Sequence, residues 1–124
     1  MLVTDQISGL SDSQLVDKYK STRDYNYIGI LFQRHTQFVY AVSMKYLKDQ
    51  DKSKDAVMEI FEKLVNDLLR FDIENFKGWL HQVTKNHCLL TLRSEKYQRK
   101  FSEKYKKDTM VLMEKPDVLY QEND

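Results

Sequence analysis

Apolar residues recur along most of this 124-residue chain at three- and four-residue intervals, with no clear alternation. That is the spacing of helix faces, not of pleated strands. "SDSQLVDKYK" opens a first helix, with Ser11 as N-cap and Gln14 placed to complete a capping box; Leu15, Val16 and Tyr19 give it an apolar side. A second helix is predicted from about Tyr25 to Leu47, on a stripe of Ile28, Phe32, Val39, Val42 and Tyr46. "KDQDKS" is a polar break in which Ser53 or Asp51 can cap a third helix. That helix runs to about Arg70 and buries Val57, Ile60, Phe61, Leu64, Val65 and Leu68. After the loop "FDIEN", Asp72 or Asn75 can cap a fourth helix that continues to about Lys107. Its stripe is Leu80, Val83, His87 and Leu90, with Trp79 near the edge and Tyr97, Phe101 and Tyr105 continuing it as packing residues. The fold expected is all-α, a compact bundle of four helices with a long basic last helix. It occupies residues 1–107, and 108–124 read as an acidic linker or disordered tail.

Composition agrees with one soluble domain. Three glycines and one proline leave few helix breakers, and no apolar run approaches the ~20 residues of a membrane span. The N-terminus lacks a basic start followed by an apolar stretch, so no secretion signal is expected. A single cysteine suits a reducing, cytoplasmic setting.

Charge changes the picture. The net charge is only +1, but residues 49–75 carry a net of −4 and residues 76–107, with nine basic and two acidic side chains, a net of +7. Two oppositely charged segments side by side predict two kinds of partner.

The basic segment also holds His81, His87 and Cys88, which first invite a metal or nucleophile reading. Six residues turn a helical side chain away from its starting face, and seven return it about 10 Å further along the axis. Zinc needs ligands at roughly 2.0–2.3 Å, so no such pair can share one. Cys88 sits mid-helix beside Leu89 and Leu90, away from the helix N-terminus that activates a thiolate. No glycine-rich phosphate loop or paired carboxylate site is present. No enzyme, metal or cofactor is expected.

Two surfaces remain. Lys77, His81 and Lys85 follow four-residue steps on the solvent side of the fourth helix, with Arg93, Lys96, Arg99 and Lys100 beyond. A row of cations attracts a phosphate backbone, and the amides of Gln82 and Asn86 can pair with base edges; a plain solvated face would look the same. On the third helix, Asp55, Met58, Glu59 and Glu62 form a second patch, an adaptable apolar centre with a charged rim. It reads either as a protein-docking site or as an ordinary acidic face.

In order and spacing, "KDAVMEIF", "FKGWLHQVTKNHCL" and "LRSEKYQRK" resemble the second region of bacterial sigma factors, nearest the extracytoplasmic-function group. The resemblance covers about residues 11–100. It implies an all-helical domain, without enzymatic activity, that binds core RNA polymerase and recognises and helps melt the minus-ten promoter element. Core binding, to the coiled coil of the largest subunit, would fall on Asp55, Met58, Glu59 and Glu62. Phe71, Asp72, Ile73, Glu74 and Asn75 would form a pocket for a base flipped from the non-template strand. Lys77, His81, Lys85, Asn86, Arg93 and Lys96 would hold the single strand. An anti-sigma factor is a further partner compatible with the resemblance. The sequence departs from the family where Met58 replaces a usual glutamine and Thr91 a common aspartate. No helix-turn-helix follows Leu92, so an excised domain is expected, with 108–124 opening the interdomain linker. The alternative is a helical protein–protein adaptor whose basic face binds an acidic partner.

Overall fold

The computed structural model describes residues 9–107. Among them are four helices and no strand: α1, Asp12–Thr22; α2, Tyr25–Leu47; α3, Gln50–Arg70; and α4, Phe76–Lys107. The expected acidic tail lies outside the described residues, as does the side chain of Tyr105. The chain divides into two units, Met1–Leu89 and Leu90–Asp124.

In the first unit each helix starts where a side chain satisfies its orphan N–H groups. Ser11 Oγ accepts from Gln14 N at 3.1 Å and Ser11 N donates back to Gln14 Oε1 at 2.8 Å, the capping box expected. Asp24 caps α2 through Asn26 N at 2.9 Å. The cap of α3 is Asp49, which accepts from Lys52 N at 2.9 Å, and not Ser53 or Asp51; Ser53 lies one turn inside the helix and is fully buried. Asn75 caps α4, accepting from Gly78 N at 3.1 Å. A Cβ on Gly78 would come within 3.2 Å of the Asn75 amide, so glycine leaves room for that cap. Asn75→Ala is expected to cost about 1 kcal/mol of stability, read as a lower urea midpoint with an unchanged slope.

α1 and α2 end without glycine. Arg23 and Lys48 take left-handed conformations, φ 61° and 56°, and donate to Tyr19 O and Met44 O. Such residues cost about 1 kcal/mol each and persist where packing fixes the turn.

The core of this unit lies where α1, α2 and α3 meet, with the first part of α4 against it. Leu15, Leu31, Val39, Ile60, Leu64, Leu68 and Leu80 are fully buried. The buried line of α2 is Ile28, Leu31, His35, Val39, Ser43 and Leu47, a register displaced from the stripe expected; Phe32, Val42 and Tyr46 are half-buried. On α4 the buried line is Phe76, Leu80, Thr84 and Cys88, while Val83 and His87 are half-buried and Leu90 is 55% exposed. Each inward line also takes in small residues, Ser43 on α2 and Thr84 and Cys88 on α4, and Thr84 makes its burial tolerable by donating to Leu80 O at 2.8 Å.

α1 is tied to the rest at both ends. Asp12 pairs with Arg34 at 3.0 Å and His35 at 2.9 Å. Tyr19, 1% exposed, donates its hydroxyl proton to Val65 O at 2.7 Å. Burial raises the Tyr19 pKa, its neighbour Tyr25 raises it further, and Arg23 opposes them. In the second unit, residues 90–107 are helical, and the rings of Tyr97 and Phe101 stack 6.4 Å apart.

Candidate functional site

The polar face of α3 turns outward because Val57, Ile60, Phe61 and Leu64 occupy its inner side. Asp55, Met58, Glu59 and Glu62 are all exposed, Met58 by 55%. Beside Met58 the surface opens into a groove of about 690 Å³, lined by Phe32, Tyr40 and Ala41 of α2 and by Lys54, Val57 and Met58 of α3. The four-residue spacing Phe32, Thr36, Tyr40 carries this contribution of α2, but it reads as core in the sequence because Phe32 falls in the expected stripe. Phe32 does lean inward, edge-on to Phe61 at 4.8 Å. The result is an apolar groove next to an exposed methionine and three carboxylates, a surface suited to a helix with apolar anchors and a cationic flank.

The second surface begins where α3 stops. Phe71 leaves the helix in an extended conformation, φ −109° and ψ 148°, while its N–H still reaches Asp67 O. Its ring is 45% exposed. The Arg70 guanidinium lies 5.2 Å from the ring centre and Trp79 6.5 Å away. Lys20 of α1 donates to Phe71 O at 2.7 Å, so α1 holds the root of the loop. Asp72, Glu74 and Asn75 are exposed and Ile73 is half-buried. Trp79, expected near the edge of the apolar stripe, is half-buried between Phe71 and Phe76.

Along α4, Lys77 is exposed, with its ammonium 4.8 Å from the centre of the Phe38 ring, and half-buried His81 faces the same ring at 6.0 Å. The sequence reading missed Phe38, whose place between two α4 side chains has no local signature on α2. Lys85 is half-buried, and Asn86 is exposed and accepts from Gln82 at 3.2 Å. Arg93 and Lys96 are exposed residues of the second unit.

His87 and Cys88 separate. His87 Nε2 lies 2.9 Å from Glu59 Oε1, so His87 is half-buried beside an exposed carboxylate and not on the core-facing line expected of it. Cys88 is fully buried, and burial pushes its thiol pKa up against a smaller lowering by the Ser43 hydroxyl. A buried thiol with a raised pKa is a poor nucleophile. Among the described residues no three His, Cys, Asp or Glu side chains stand close enough to hold a metal ion. No described helix is long and apolar enough to cross a membrane.

The family model for sigma-70 region 2 matches residues 31–97, more than half of the chain. The chain belongs to the sigma-70 region 2 family. Neither a curated protein nor a solved structure gives a significant match. Region 2 domains are parts of transcription initiation factors without enzymatic activity, and in general they bind core RNA polymerase and recognise the minus-ten promoter element. In this region 2 domain the matched segment starts at Leu31 in α2, takes in α3 and the 71–75 loop, and ends at Tyr97 in α4.

Proposed function

We propose that this region 2 domain, of the extracytoplasmic-function group, docks on the largest-subunit coiled coil of core RNA polymerase through Asp55, Met58, Glu59 and Glu62. Its loop Phe71–Asn75 then captures a base of the non-template strand. Lys77, His81, Lys85 and Asn86 hold the adjoining strand, with Arg93 and Lys96 as further phosphate-binding cations. The observation that carries the reading is the segregation of chemistry within the family segment: exposed carboxylates beside an apolar groove on α3, and an exposed aromatic loop followed by cations on α4. Extruding a base costs a few kcal/mol of stacking. A preformed loop held by Lys20 and by the Asn75 cap reduces the ordering cost, and cations on the phosphates offset the rest.

Salt dependence tests the strand-binding half. With core polymerase present, affinity for a single-stranded minus-ten oligonucleotide is expected to fall steeply as salt rises. Lys85→Ala should reduce the log–log slope by about 0.7, the loss of one phosphate contact to a single strand. No binding of the oligonucleotide at low salt, with or without core polymerase, would exclude this reading and favour an adaptor with an acidic protein partner.

A further inference from the structure

We infer that His87 is a positioning residue for docking: it holds the Glu59 carboxylate in one orientation on the outward face of α3. The inference rests on the docking reading of Glu59. A carboxylate only accepts hydrogen bonds, so the 2.9 Å contact places a proton on His87 Nε2, which donates to Glu59 Oε1. The two side chains differ sharply in exposure, 16% for His87 and 58% for Glu59. His87 is therefore the fixed member of the pair. It adjoins Cys88 and lies one turn from Thr84, both fully buried, so the backbone that carries the ring is anchored in the core. Glu59 is the member that meets solvent. A glutamate has three rotatable side-chain bonds, and freezing them on association weakens binding unless they are already restrained. His87 supplies that restraint from a different helix, across 28 positions of sequence.

The test measures affinity of the full chain for core polymerase. His87→Leu, which fills the space without a donor, should weaken binding by about two- to tenfold, the range for one side chain ordered only on docking. His87→Gln, which keeps a donor, should restore most of it. In a Glu59→Ala background, His87→Leu should have no further effect. Equal losses in both backgrounds would make His87 merely structural and overturn the inference. So would unchanged binding by His87→Leu while Glu59→Ala weakens it, which leaves the docking reading standing. Unchanged binding by Glu59→Ala removes the docking reading and the inference together.

Discussion

Glu59→Lys is expected to abolish co-purification of the chain with core RNA polymerase, while circular dichroism and the melting temperature stay close to those of the parent. The fold tolerates the change because Glu59 is 58% exposed and meets half-buried His87 of α4 from the solvent side. A surface pair of this kind contributes about 0–1 kcal/mol to stability. Docking does not tolerate it. The face around Glu59 carries Asp55 and Glu62 as well, so a complementary partner presents cations there, and like charges brought together at an interface cost several kcal/mol. That corresponds to a loss of roughly a hundredfold or more in affinity. Glu59→Gln, which removes the charge without reversing it, should fall between the two. Retained binding of the lysine variant would end the assignment of this face to polymerase.

The second large effect is on the fold, and it separates two residues that the apolar stripe treats alike. Leu80→Ala is expected to destabilise the chain by about 2–5 kcal/mol, because Leu80 is fully buried and the surroundings of a core cavity relax only partly. That is a large part of the 5–15 kcal/mol typical of a domain. Leu90→Ala, on a side chain 55% exposed, should change stability by no more than about 0.5 kcal/mol. Urea unfolding followed at 222 nm measures both. A similar cost at the two positions would contradict the buried line Phe76, Leu80, Thr84 and Cys88.

Helix number, order and approximate limits were legible in the sequence because amphipathic periodicity reflects burial directly. Ser11, Gln14 and Asn75 act as caps because their side chains compete locally for backbone donors, a property that needs no tertiary context. What was not legible depends on how closely helices approach. Ser43, Thr84 and Cys88 are buried because a small side chain permits contact, and a hydrophobicity pattern passes over them in favour of Val83, Val42 and Leu90. The same limit hid the groove beside Met58, since Phe32 and Tyr40 belong to α2 and acquire their neighbours from α3 only in the folded unit. The exposed acidic face and the position of the 71–75 loop could be read in advance. The bond from Lys20 to that loop, and the one from His87 to Glu59, join residues 51 and 28 positions apart, and no local pattern encodes them.

α1 has a bearing on how such domains are delimited. Residues 12–22 precede the segment that the family shares, which starts at Leu31. Yet Tyr19 closes over the end of α3, Lys20 grips the loop root, and Asp12 secures Arg34 and His35. The recognisable segment and the cooperative unit therefore have different boundaries. A fragment trimmed to the shared segment would keep every residue proposed to meet polymerase or promoter, but it would lose the helix whose Lys20 holds the root of the 71–75 loop.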